Sequence, residues 1–148
     1  MLVAQVTDPH VSLPGARLFG GYDPAEALRA VVARLVALRP RPDFVFFTGD
    51  LTEGGKPAEY AHFLALIADL DLPAAAIPGN HDRRDAFLTG LQGSRLRIGT
   101  DPNWLHLAIE GLPLRLIGLD TLGLEGEAGG LLDEGRLAWL ERRLDEAP

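Results

Sequence analysis

The heptapeptide FVFFTGD, residues 44–50, sets four consecutive apolar side chains directly against a polar Thr48-Gly49-Asp50 end. A strand with one wet face alternates in polarity, so an unbroken apolar run is expected where both faces are covered. That reading makes Phe44 to Phe47 an inner strand of a parallel sheet, and the flanking sequence agrees. Upstream, Asp23-Pro24-Ala25-Glu26 reads as an N-cap, a proline at the first helical position and a glutamate where a capping box wants one. Leu28, Val31, Val32, Leu35 and Val36 then recur at helical spacing until Arg39-Pro40-Arg41-Pro42 stops the helix. Before it, Leu2 to Val6 is a short apolar strand ended by Asp8-Pro9. Downstream, a helix from Pro57 carries Tyr60, Phe63, Leu64 and Ile67 on one stripe, and Ala74 to Ile77 reads as a third strand.

The resulting order, βαβαβ, predicts an α/β fold with a parallel sheet, whose ligands gather outside the carboxyl ends of the strands. Residues 88 to 103 are Gly- and polar-rich and are expected to be loop. Leu105, Leu107 and Ile109 alternate with His106, Ala108 and Glu110, and a turn at Gly111-Leu112-Pro113 leads into Leu114 to Leu119, so a hairpin is expected. His106 and the helical His62 are expected at a surface or interface, with Trp104 and Trp139 as packing residues. A Gly-rich loop and a last helix carrying Leu137, Leu140 and Leu144 complete the pattern.

Composition narrows the function. The 148 residues, 47% of them hydrophobic, suffice for one core. The net charge of -7 comes from acids spread along the chain, so no basic stripe offers itself to a nucleic-acid duplex. A small anionic substrate stays open, since a metal ion supplies local positive charge. Without cysteine there is no disulfide, thiolate ligand or Cys nucleophile, and any metal must sit on oxygen and imidazole. The N-terminal MLVAQVTDPH lacks a basic signal-peptide start and no apolar run reaches membrane-span length, so a cytoplasmic location is expected.

Three polar clusters follow predicted strands: Asp8-Pro9-His10, Gly49-Asp50 and Gly79-Asn80-His81-Asp82. Alone, each has an ordinary reading as a turn opener, a loop dipeptide or an Asx-turn. Together, at successive strand ends, they bring carboxylate, imidazole and carboxamide to one rim, a donor set suited to Mn, Fe or Zn. A central Asp50 is able to bridge two ions with its two oxygens. Gly49 and Gly79 permit close backbone approach beside it. Arg83 and Arg84 are candidates for attracting a phosphodiester, and Asp120, in Gly-Leu-Asp-Thr, for a supporting carboxylate.

The ordered set D-x-H, G-D and G-N-H-D resembles the calcineurin-like metallophosphoesterases. The words GDLTEGGKPAEY, IPGNHDRRDAF, GLDTL and GGLLDEGRLAWLERRL are most similar to the branch of class III cyclic-nucleotide phosphodiesterases and glycerophosphodiesterases. The resemblance implies the N-terminal part of a two-sheet α/β/β/α sandwich. It implies two divalent ions, with Asp8 and His10 on the first, Asp50 bridging, and Asn80 on the second. It further implies attack by a metal-bridging hydroxide on a small phosphodiester. His81 would face the phosphate as a catalytic group, with Asp82 its orienting partner.

The family's pattern continues with further histidine motifs, whereas no histidine follows His106 here. The expectation is one domain over residues 1–148 that is C-terminally incomplete. A second copy or a partner would complete the fold, or the chain would be a truncated product. Two functions follow: a metal-dependent phosphodiesterase, or a non-catalytic scaffold serving as an oligomerisation or interaction module with at most weak metal binding.

Overall fold

The computed structural model describes residues 1–101, 103–123 and 129–146. Four strands, β1 (Val3–Val6), β2 (Phe44–Thr48), β3 (Ala74–Ile77) and β4 (Leu96–Arg97), form a parallel sheet in the order β1-β2-β3-β4. They are joined by α1 (Pro24–Ala37), α2 (Pro57–Leu66) and α3 (Arg84–Leu91). Strands added in chain order by crossovers of one hand must place the helices on one side of the sheet, and the core shows this. Leu28 and Val32 of α1, Tyr60 and Phe63 of α2, and Phe87 and Leu91 of α3 cluster with Val45, Phe47, Ala74 and Ala76.

The alternate residues of the same strands turn the other way. Phe44, Phe46, Ala75 and Ile77 pack against Leu107 and Ile109 of a two-stranded antiparallel sheet, β5 (Leu107–Ile109) and β6 (Leu116–Gly118). The unbroken apolar run of β2 is thus accounted for, since helices cover one face and a second sheet the other. Where the sheets approach, a side chain at Gly118 would force its neighbours to repack: a Cβ there would lie 2.6 Å from Ile77 Cγ2 and 2.9 Å from Phe46 Cζ. A final helix, α4 (Glu134–Asp145), is capped by Asp133, whose side chain accepts from the Arg136 amide.

Several expectations are corrected. Residues 88–103 are not all loop, because α3 runs to Leu91 and β4 pairs with β3 through Ala74↔Leu96 and Ala75↔Arg97. His106 is no surface residue: it is buried between Trp104 and Trp139, with ring centroids at 5.8 and 4.7 Å. The stripe of α4 is also not its buried face, as Leu137 and Leu144 are exposed while Arg136 is buried. None of the helices among the described residues is long and apolar enough to cross a membrane.

Candidate metal centre

The parallel register sets the site. Val6 lies opposite Phe47 and Phe47 opposite Ala76, so β1, β2 and β3 finish along one rim. Pairing continues past the strands, for the His10 amide donates to the Asp50 carbonyl at 2.9 Å and the Val11 amide to the Leu51 carbonyl at 3.0 Å. These bonds place Asp8 and His10 beside Asp50. His10 Nε2 lies 3.8 Å from Asp8 Oδ1 and 3.6 Å from Asp50 Oδ2, and the donor atoms of the three residues all fall within 4.8 Å of one another. Two carboxylates and an imidazole so gathered fit a borderline divalent cation.

The backbone at these residues is unusual. Asp8 (φ 55°), His10 (φ 44°) and Asp50 (φ 48°) are left-handed, as is one further non-glycine among the described residues, Phe19. Such conformations cost about 1–3 kcal/mol each and persist where surrounding structure over-determines them. Here the inter-loop hydrogen bonds do so, aiming three donors at one point.

Glycines clear the way for Asp50. Gly49 has φ 94°, and a Cβ on it would come within 3.0 Å of Gly79 Cα. A Cβ on Gly79 would lie 2.3 Å from Asp50 Oδ1 and 2.4 Å from the Asp50 amide nitrogen. Gly79→Ala is accordingly expected to destabilise the fold by about 1–3 kcal/mol, read as a lower urea midpoint, and to weaken divalent-ion binding in the same preparation.

The third cluster divides its roles. Asn80 is exposed at the rim and lines a cleft of about 290 Å³ with Arg83, Arg84 and Leu122. The His81 amide donates to Asp50 Oδ1 at 2.9 Å, and its ring stands edge-on to His10 with centroids 4.7 Å apart. His81 Nδ1 lies 2.8 Å from the Glu53 carbonyl oxygen. A carbonyl only accepts, so Nδ1 carries the hydrogen and Nε2 is turned outward. The Glu53 carbonyl raises the His81 pKa above its usual value, helped by the charges of Asp50, Glu53 and Asp82, while burial opposes them.

Asp82 is not brought onto the His81 ring. Its buried carboxylate accepts from the amides of Leu51 (3.0 Å), Thr52 (3.3 Å) and Gly79 (3.0 Å) and from the Tyr60 hydroxyl (2.9 Å). It ties the loop after β2 to the loop after β3, and acts on the site through the backbone. Burial pushes its pKa up against those bonds.

Arg84 and Asp120 pair with each other, at 2.7 and 2.9 Å, so Arg84 lines the cleft with its charge already matched by a buried carboxylate. His62 Nδ1 is engaged by the Ser12 carbonyl at 2.7 Å. One residue was missed in the sequence: Glu53, whose Oε2 lies 2.9 Å from His10 Nδ1 across 43 positions of chain. No spacing rule announces such a contact.

Comparison with known proteins agrees with this geometry. The chain is 37% identical over 148 residues to a probable glycerophosphodiester phosphodiesterase of Arcobacter nitrofigilis, covering 100% of this chain and 53% of that protein. It is 36% identical over 148 residues to a probable cyclic nucleotide phosphodiesterase of Rhodopseudomonas palustris, covering 97% and 51%. It is 32% identical over 149 residues to a 3',5'-cyclic adenosine monophosphate phosphodiesterase of Escherichia coli K12, covering 99% and 50%. The chain thus spans about half the length of the curated relatives it matches. Residues 1–147 match the model of the calcineurin-like phosphoesterases, and the chain belongs to that family.

Proposed function

We propose that this chain carries the metal-binding part of a phosphodiesterase acting on small phosphodiesters, of the cyclic-nucleotide or glycerophosphodiester kind named in its relatives. The observation that carries the reading is the convergence of Asp8, His10 and Asp50 within 4.8 Å, with His81 ring to ring beside His10. Asp8, His10 and Asp50 would hold one divalent ion, and Asp50 with Asn80 would serve a second. Bound ions of this kind polarise a phosphoryl oxygen and lower the pKa of water.

The protein's own groups then have distinct tasks. His81, with Nδ1 anchored on Glu53 and Nε2 outward, is set to hydrogen-bond a phosphate oxygen or give a proton to the leaving oxygen. The cleft beside Asn80 and Arg83 offers room for the ester substituents. His81→Ala is expected to lower turnover of bis(p-nitrophenyl) phosphate by about 10²–10⁴-fold while leaving bound manganese unchanged by elemental analysis.

A second reading has its own support. Among the described residues His62 is held by Ser12 and His106 lies between tryptophans, so neither histidine would join Asp50 and Asn80 at a second ion. In that reading the chain is a scaffold with one weakly held ion, and no phosphodiester turns over even in excess manganese.

A further inference from the structure

We infer that Glu53 is a positioning residue for His10, holding the imidazole in the tautomer and orientation that directs Nε2 to the metal. The inference rests on the reading of Asp8, His10 and Asp50 as ligands and adds a residue to it. His10 makes two kinds of contact on opposite sides of its ring. Nε2 faces Asp8 and Asp50, while Nδ1 lies 2.9 Å from Glu53 Oε2. A carboxylate accepts, so Nδ1 carries the hydrogen, and Nε2 is the ring atom left to ligate on the side of Asp8 and Asp50. A metal-bound histidine whose other nitrogen donates to a carboxylate is fixed in orientation and made a stronger base.

Glu53 is itself placed by the fold. Its amide donates to the Val11 carbonyl at 3.0 Å, so the residue next to His10 fixes the residue that orients it. Leu51 and Thr52, just before it, hang on Asp82, and the Gly54 amide just after it donates to the buried Glu59 carboxylate at 2.9 Å. The side chain of Glu53 holds His10 and lies 3.7 Å from His81 Nδ1, while its carbonyl, at 2.8 Å, makes the hydrogen bond to His81. Removing the side chain therefore leaves the His81 anchor in place, which provides an internal control.

The test compares the intact chain with Glu53→Ala and Glu53→Gln. Long-range ¹H–¹⁵N spectra of the histidine rings, taken without metal, read the tautomers directly, and calorimetric titration with Mn(II) reads affinity. In the unsubstituted chain His10 and His81 should both be Nδ1–H. Glu53→Ala should shift His10 toward the other tautomer, leave His81 in its Nδ1–H tautomer, and weaken Mn(II) binding by roughly 10- to 100-fold. Glu53→Gln keeps an accepting oxygen and should recover the His10 tautomer and part of the affinity. An unchanged His10 tautomer and Mn(II) affinity in Glu53→Ala would overturn the inference while leaving the metal centre standing. So would Zn(II) loading that displaces the hydrogen from His10 Nδ1, since Glu53 would then be a ligand itself. No Mn(II) binding by the unsubstituted chain would overturn the metal centre and the inference together.

Discussion

Asp120→Ala is expected to destabilise the protein by about 3–5 kcal/mol, since it leaves the Leu105 and Leu122 amides and the half-buried Arg84 guanidinium without their shared acceptor. Asp120 is fully buried two residues past β6. Its carboxylate takes two bonds from Arg84 and one from each amide of Leu105 and Leu122, both at 2.9 Å. Its backbone is used as well: the amide donates to His106 Nδ1 at 2.8 Å and the carbonyl accepts from buried Arg136 at 2.9 Å. One residue therefore joins α3, the segment before β5, and α4. Since whole domains are stable by about 5–15 kcal/mol, the loss should be plain in the urea midpoint, and smaller for Asp120→Asn, which keeps accepting oxygen.

The same carboxylate should shape the acid limb of stability. Burial pushes its pKa up, but the bonds from Arg84, Leu105 and Leu122 outweigh that, and the net shift is downward from 3.8. A group that binds its proton less tightly when folded adds stability that is full above pH 3.8 and is lost as pH falls through the lower folded value. Asp82, shifted upward, tilts the other way, favouring the fold at low pH and less so as pH rises past 3.8. Urea melts from pH 3 upward should show Asp120→Asn with a flatter acid limb than the unsubstituted chain.

The second large effect is expected at Asp50. Its Oδ2 faces His10 and its Oδ1 accepts the His81 amide, so one carboxylate stands between the two histidines of the site. Asp50→Asn preserves an oxygen for that amide and a residue type that tolerates the left-handed backbone, but removes the charge. Its metal-free melting temperature should match that of the unsubstituted chain. Its Mn(II) affinity should fall by more than the roughly 100-fold that loss of an outer partner costs. A ligand at 100 times its dissociation constant stabilises by about 2.7 kcal/mol, so a manganese-induced rise in melting temperature should vanish in the variant. A rise as large as in the unsubstituted chain would place the ion elsewhere.

Much of this was legible in residue order. Phe44 to Phe47 is apolar on both faces because two layers cover it, and Asp23-Pro24 caps α1 as its residue types predict. The two-residue β4 was not legible, for Leu96-Arg97 is too short to show a period, and it is a strand only because β3 lies alongside. Alternation placed His106 on the polar side of its segment, which is right for the chain but not for the molecule, because Trp139 of α4 covers that side. Asp82 looked like a partner for its neighbour His81. Its donors instead come from Leu51, Thr52 and Tyr60, and adjacency in sequence says little about where a side chain turns.

The left-handed backbone at Asp8, His10 and Asp50 bears on which residues these positions accept. The conformational penalty is met by the chain's own inter-loop bonds, from the His10 and Val11 amides to the Asp50 and Leu51 carbonyls, which hold the three side chains toward one point. Glycine would relieve each of these positions. Substituting glycine at any of the three should cost little stability while removing a donor, so the aspartates and the histidine are not what the backbone itself requires there.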